Sequence, residues 1–343
     1  MDLPLFLSFV AACSLVVYGG IQLTHVGDKF EDLGISAGFV GTVLLALITS
    51  LPEFVATFSS IFRLDAPQLA LGNIFGSNTF NLAILAIMDL FFIREVLYHK
   101  VDRFVSKSLA IGQIMTVLAL AGIFLNSSAF MVNLVFNGQH YLLISIFNLL
   151  VLIVYFLAFN LSTVVDGEEE EEEEECEEVL PMESLPSLSS LGIKFFFWAV
   201  VVVISGIWLT DVCDQISNVT GLGKTFIGSI LLAFATSLPE ATVCTTAMRL
   251  SNYTLVFGNV LGSNVFNLFI LSIADLLTTD LSLFTVEHIE LNYITGFGSL
   301  LMSSMILLAL TYRGKRKIMK SISVGLVIVY VFSYYIMFQM NSI

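Results

Sequence analysis

The chain has 343 residues, of which 57% are hydrophobic and 12% charged, and its mean hydropathy is +0.92. Soluble domains carry about a quarter charged residues and roughly half apolar ones, so an ordinary soluble domain is excluded and a bilayer is the solvent that fits. The formal charge of -14 is local: Asp166, Glu168 to Glu175, Glu177 and Glu178 form one acidic stretch, and without it 17 acidic residues face 14 basic ones.

Apolar windows of about 20 residues predict spans at roughly 3–22, 38–62, 69–92, 108–126 and 140–160 before that stretch. Five more follow at roughly 193–210, 225–248, 254–277, 291–311 and 320–339. The expectation is an all-α polytopic membrane protein with ten transmembrane helices. Its opening segment, MDLPLFLSFVAACSLVV, has no basic n-region and reads as the first span, not as a cleaved signal.

Basic residues set the orientation. With the N-terminus outside, the inside connections hold 12 of the 14: Lys29, Arg94, Lys100, Arg103, Lys107, Lys194, Arg249, Arg313, Lys315, Arg316, Lys317 and Lys320. Only Arg63 and Lys224 fall outside. Both termini are therefore expected outside and the glutamate run in the cytoplasm, in a plasma membrane or a bacterial inner membrane. The chain divides into a first membrane repeat (1–161), an acidic linker (162–191) and a second membrane repeat (192–343).

The two halves are related in sequence. GISAGFVGTVLLALITSLPE (34–53) aligns without gaps to GLGKTFIGSILLAFATSLPE (221–240), with 11 of 20 positions identical. GNIFGSNTFNL (72–82) then matches GNVLGSNVFNL (258–268), and upstream Gly20, Ile21 and Asp28 answer to Gly206, Ile207 and Asp214. Five spans per half is an odd number, so the second half enters the membrane from the opposite side. The repeats are expected to be inverted, which puts equivalent residues of both halves near the midplane.

Glu53 and Glu240 lie inside spans two and seven. A carboxylate facing lipid is very costly, so both are expected to face a protein interior or a watery cavity. No basic residue stands at their depth in spans two, three, seven or eight, and the missing positive charge is best supplied by a mobile cation or by protons. Pro52 and Pro239 lack an N–H and leave carbonyls near residues 48, 49, 235 and 236 without helix partners, unless the prolines simply kink the helices. Thr49, Ser50, Thr236 and Ser237 add hydroxyls, and the Gly-Ser-Asn stretches deliver Ser77, Asn78, Asn81, Ser263, Asn264 and Asn267. Oxygen donors of this kind suit hard cations such as Ca²⁺ or Na⁺ and suit soft metals poorly. For Asn78 and Asn264, helix–helix hydrogen bonding competes with ligation. The four histidines fall in or near connections and none is assigned to proton transfer.

Other partners are excluded or left open. No basic domain exists that could neutralise the phosphates of nucleic acid. Cys13, Cys176, Cys213 and Cys244 show no metal-type spacing, so neither a disulfide framework nor a zinc site is expected. The uninterrupted glutamates lack the DxDxDG turn of an EF-hand and read as a solvated linker, with cation accumulation at the cytoplasmic mouth as the lesser alternative. The reading is compatible with a monomer and leaves the oligomeric state open.

TSLPE at 49–53 with GNIFGSNTFN at 72–81, and TSLPE at 236–240 with GNVLGSNVFN at 258–267, resemble the two alpha-repeats of the calcium/cation antiporter superfamily, most closely its sodium/calcium exchanger branch. The resemblance implies a transporter and not an enzyme, with no cofactor, exchanging Ca²⁺ for Na⁺ by alternating access. Glu53 and Glu240 resemble the shared carboxylate ligands. Thr49, Ser50 and Ser77, with Thr236, Ser237 and Ser263, resemble the hydroxyl and carbonyl ligands. Spans one and six resemble a sliding gate, where Gly19, Gly20 and Gly206 would relieve packing. At the last motif position this branch commonly has Asn in the first repeat and Asp in the second, whereas here Asn81 and Asn267 occupy both. One acidic group is missing relative to that pattern and two relative to the Asp-and-Asp pattern of many potassium-dependent exchangers, which argues against potassium dependence and leaves a Ca²⁺/H⁺ or other divalent cation/proton antiporter as the alternative. A passive cation channel is the alternative of another class.

Overall fold

In the computed structural model the described residues are 3–31, 45–91, 103–125, 131–136, 139–158, 188–278, 283, 289–312 and 316–341. Within them the long apolar stretches form helices: α1 (Leu3–Glu31), α2 (Leu45–Thr49), α3 (Leu51–Phe62), α4 (Pro67–Phe91), α5 (Arg103–Phe124) and α6 (Ile146–Ala158) in the first half. The second half contains α7 (Leu188–Thr220), α8 (Lys224–Thr236), α9 (Leu238–Arg249), α10 (Tyr253–Leu277), α11 (Asn292–Tyr312) and α12 (Arg316–Asn341). Seven described helices are long and apolar enough to cross a membrane, or eight when α8 and α9, bent by 42°, count as one span. The chain is a multi-pass helical membrane protein. The bland exterior agrees: Ile193, Phe196, Phe91 and Phe124 are each more than 70% exposed, as side chains facing lipid should be.

The predicted fifth span, 140–160, is corrected. Residues Met131–Phe136 (β1) and Gln139–Ser145 (β2) form an antiparallel hairpin running from Met131 opposite Ser145 to Phe136 opposite Gln139, and only Ile146–Ala158 is helical. The fold is thus helical with one hairpin, not purely α. An apolar window does not distinguish a period of 3.6 from a period of 2, and HYLLI satisfies both. Helices α1 and α7 also overrun their predicted spans, reaching 29 and 33 residues. Residues 38–44 of the second predicted span and the glutamate run lie outside the described residues.

Punctuation repeats between the halves. Ser50 separates α2 from α3 with φ -87° and ψ 8°, and Ser237 separates α8 from α9 with φ -88° and ψ 7°. Each break is followed at the second helical position by proline, which has no N–H to continue the ladder. The turns after α3 and α9 each place one non-glycine residue in the left-handed region, Asp65 (φ 48°) and Ser251 (φ 60°). The end of α7 uses Gly221 (φ 73°), whose N–H donates to the Ser217 carbonyl at 3.0 Å, the ordinary glycine stop of a helix.

Helix α4 is buried along nearly its whole length. It meets α8 backbone to backbone: a Cβ added at Gly72 would stand 2.4 Å from the Thr225 carbonyl oxygen, and one at Gly76 would stand 2.5 Å from that of Ser229. Gly228 approaches the Leu69 carbonyl equally closely from the other side. At this contact α8 widens into a π-turn, Gly228–Leu232, a local irregularity that is frequent near functional sites. Outside this core, α1 and α7 lie against each other, with Gly19 facing Val202, Gly20 facing Pro239 and Gly206 facing Val55.

Candidate functional site

The two helix breaks and the centres of α4 and α10 converge. Thr49, Ser50, Glu53, Ser77, Asn81, Thr236, Ser237, Glu240, Ser263 and Asn267 all have zero solvent exposure. That burial is the opposite of what ten polar side chains do by default, and it holds because they bond to one another.

The bonding is reciprocal between the halves. Ser237 donates to Glu53 Oε1 at 2.9 Å, and Ser50 donates to Glu240 Oε1 at 3.5 Å. Within each half, Ser77 donates to Glu53 Oε1 at 3.4 Å and Ser263 to Glu240 Oε1 at 3.3 Å. Thr236 donates to Asn73 Oδ1 at 3.2 Å, and Thr49 to Asn259 Oδ1 at 3.4 Å. Exchanged pairs of this kind are what a two-fold relation through the site produces, as at an isologous interface. The helix breaks explain why these serines can reach: each precedes a proline where the helix axis turns, so its hydroxyl is carried toward the carboxylate of the other half.

A second layer consists of four carboxamides. Asn78 Nδ2 donates to the Asn264 carbonyl at 3.2 Å and Asn264 Nδ2 to the Asn78 carbonyl at 3.0 Å. Asn81 Nδ2 donates to Asn264 Oδ1, and Asn267 Nδ2 to Asn78 Oδ1, both at 3.0 Å. Asn78 and Asn264 therefore bind helix α4 to helix α10, the helix–helix alternative of the two open from sequence. Asn81 and Asn267 instead keep their Oδ1 atoms without a hydrogen-bond partner, as do the Oε2 atoms of Glu53 and Glu240.

Four buried oxygens without donors are costly, about 1–3 kcal/mol each and more where charged. A hard cation is a partner that oxygens of this kind accept. Among the described residues no cluster of three or more His, Cys, Asp or Glu could hold a metal; the donors present are carboxylate, carboxamide and hydroxyl oxygens, which favour hard ions.

Sequence reasoning missed Asn73 and Asn259. Both are buried, and Asn259 also donates to the Glu240 carbonyl at 3.4 Å. Their signal was available, since each is the Asn of a repeated Gly-Asn pair that opens the quoted motif. Also missed were Asp89 and Asp275, equivalent positions 17 residues beyond Gly72 and Gly258 and fully buried. They lie outside the site. Asp89 accepts from Ser323 Oγ at 2.7 Å, while Asp275 accepts from Asn148 Nδ2 at 2.5 Å and from the Leu283 N–H at 2.6 Å. Each thus ties the end of a central helix to the last helix of the other half.

Comparison with known proteins adds to this geometry. The family model described as sodium/calcium exchanger protein matches residues 4–163 and 191–339. Inner membrane protein YrbG of Escherichia coli K12 is 25% identical over 305 residues, 87% of this chain and 86% of that protein. Among solved structures, the sodium-calcium exchanger NCX_Mj matches with TM-score 0.60 at 20% identity, over 97% of this chain and 98% of its own. The H⁺/Ca²⁺ exchanger CAX matches with TM-score 0.62 at 12% identity, over 100% and 92%. At these identities the structural likeness is one of fold.

Proposed function

The chain belongs to the sodium/calcium exchanger family, and we propose that it is a secondary antiporter that exchanges Ca²⁺ for Na⁺ across a membrane by alternating access. The single observation that carries this reading is the reciprocal burial of Glu53 and Glu240, each with one oxygen held by serines of both halves and the other without a donor. Ca²⁺ or Na⁺ is cargo, and the ligands are Glu53, Glu240, Thr49, Ser50, Ser77, Asn81, Thr236, Ser237, Ser263 and Asn267. The family's likeness extends to both a sodium-calcium and an H⁺/Ca²⁺ exchanger fold, and protons are the second reading because Asn81 and Asn267 leave only two acids at the centre.

Exchange follows from electrostatics. An empty site holds two bare carboxylates, and withdrawing each from water carries a penalty of several kcal/mol. Only a neutralised site can close, so the transporter returns across the membrane loaded with one ion or the other and does not slip empty. Helices α1 and α7 act as the gate: they pack on each other and cross the two broken helices at Gly20–Pro239 and Gly206–Val55. A channel would need a continuous wet path, and the complete burial of the site favours a closed, alternating one.

The proposed architecture is ten spans in two inverted fives, at 1–161 and 192–343, with the short helix α6 counted as the fifth and the acidic linker 162–191 between them on the cytoplasmic side. The recurring break at Ser50 and Ser237 and the exchanged hydrogen bonds support the two-fold relation. The ion pairs support the side assigned to each connection. Arg63, the first of the two outside cations, pairs with Asp211, and Lys224 pairs with Asp214 at 2.7 Å, both on the end of α7. On the inside, Lys320 donates to the Asp89 carbonyl at 2.8 Å. No pair among these joins ends assigned to opposite sides.

The test is flux into proteoliposomes of purified protein. Loading with Na⁺ and diluting into Na⁺-free medium should drive ⁴⁵Ca uptake, and an imposed proton gradient alone should not. Uptake driven only by protons would select the second reading. Uptake of equal rate with no monovalent gradient would favour a channel.

A further inference from the structure

The fixed charge of the site sets a count. Helices α2, α3, α4, α8, α9 and α10 carry four carboxylates in all, Glu53, Asp89, Glu240 and Asp275. The two aspartates stand eight residues beyond Asn81 and Asn267, about 12 Å along a helix, and are engaged by Ser323 and by Asn148 with the Leu283 N–H. Of the basic residues at the helix ends, Arg63 pairs with Asp211 and Lys224 with Asp214, and Arg249 stands nine residues beyond Glu240 at the far end of α9. At the centre there remain two carboxylates and six neutral carboxamides, those of Asn73, Asn78, Asn81, Asn259, Asn264 and Asn267.

Asn81 and Asn267 are built in as neutral groups. Each uses Nδ2 as a donor to the carboxamide oxygen of an asparagine in the other half, a bond that a carboxylate, having no hydrogen to give, could not make. A third negative charge is therefore absent from the site by construction. The oxygens left without donors fall into two equivalent sets, Glu53 Oε2 with Asn81 Oδ1 and Glu240 Oε2 with Asn267 Oδ1.

We infer that exchange is electroneutral, one divalent cation moving one way for two monovalent cations moving the other. A buried site of charge -2 is neutral with one Ca²⁺ or with two monovalent ions, and a third monovalent ion would leave a net positive charge in a dehydrated interior. Either loaded form then crosses with no net charge, and the membrane potential does no work on the cycle. The inference rests on the antiport reading and adds its stoichiometry.

The experiment measures, in proteoliposomes clamped with K⁺ and valinomycin, the Ca²⁺ gradient at which net ⁴⁵Ca flux stops. Across a series of Na⁺ gradients, or proton gradients if those drive uptake, the balancing Ca²⁺ gradient should follow the square of the monovalent gradient. It should not move with the clamped potential. If one net charge moved per cycle, a change of 100 mV would shift the balance about 50-fold, and a cubic law with that shift would overturn the inference. N267D and N81D add a third charge that one Ca²⁺ or two monovalent ions leave uncompensated, so each folded variant should lose about tenfold or more in ⁴⁵Ca flux; a folded variant with wild-type flux would also overturn it. Absence of uptake under every monovalent gradient would refute the antiport reading itself, a result distinct from wrong stoichiometry.

Discussion

Glu53 and Glu240 are the two residues on which the proposed exchange rests. Neither has a basic partner among the described residues, and each is held by a serine from its own half and one from the other. Replacing either with glutamine keeps size and hydrogen bonding but removes one charge, so E53Q and E240Q should fold as wild type while losing about 100-fold or more of gradient-driven Ca²⁺ uptake, as the loss of a charged ligand in a buried site is worth about 3 kcal/mol. Size-exclusion profiles in detergent, read beside the flux, separate the two effects. Asn78 and Asn264 predict the reverse pattern. N78L would take the acceptor from the Asn267 amide and the second donor from the Asn264 carbonyl, and the orphaned amide costs about 1–3 kcal/mol. A lowered thermal midpoint in detergent should therefore accompany any loss of transport in that variant.

At this scale the sequence was informative wherever a residue type was chemically out of place. A glutamate repeated in two apolar helices announces itself, and so did the serines and threonines beside it. Asn73 and Asn259 did not, because an asparagine beside glycine has an equally good reading as a packing element; only the hydrogen bonds from Thr236 and Thr49 distinguish it. The choice for Asn78 and Asn264 also depended on rotation about α4 and α10, which periodicity alone leaves free when nearly every face of the helix is buried.

Among the elements, the two broken helices matter most. Pro52 and Pro239 fix the positions where the ladder opens, and the nearly identical dihedrals of Ser50 and Ser237 indicate that the local sequence TSLPE encodes the break. P52A together with P239A should restore backbone donors, straighten the helices and draw the serine hydroxyls away from the carboxylates. Thermal stability should hold, changing by much less than the roughly 3 kcal/mol that proline costs in a helix interior, because both prolines stand in the first turn after the break, while uptake falls; unchanged uptake would mean that the prolines merely kink. The glycines of α4 act through packing. G72A would force its Cβ to 2.4 Å from the Thr225 carbonyl and should destabilise by about 1–3 kcal/mol. G192A, at an exposed position with nothing within 4 Å among the described residues, should be neutral or slightly stabilising. The hairpin Met131–Ser145 is where element prediction failed, because the apolar content of its second strand continues directly into α6 and no glycine, proline or charge marks the change of period.

For the whole molecule, the internal repeat was legible because short motifs of unusual composition recur in one order; the proposed inversion rests on the count of spans. The packing of the halves was not legible. It depends on Gly72, Gly76 and Gly228 bringing α4 and α8 into backbone contact and on Asp89 and Asp275 tying each central helix to the opposite half, contacts that join residues more than 100 positions apart. The topology has its own test in a background free of native cysteines. Single cysteines at Asp65 and Leu222 should react with an impermeant maleimide from one face of the membrane, and cysteines at Ser251 and within the glutamate run from the other. Labelling of Asp65 and Ser251 from the same side would refute the inverted arrangement.

The central claim is that one site, built from both halves around Glu53 and Glu240, takes either a divalent ion or monovalent ions but not both. Equilibrium binding of ⁴⁵Ca to the purified protein tests it most directly. The account predicts one Ca²⁺ per chain, displaced competitively by the coupling ion and lost in both E53Q and E240Q. Binding of one Ca²⁺ that survives in either variant, or that the coupling ion does not displace, would contradict it.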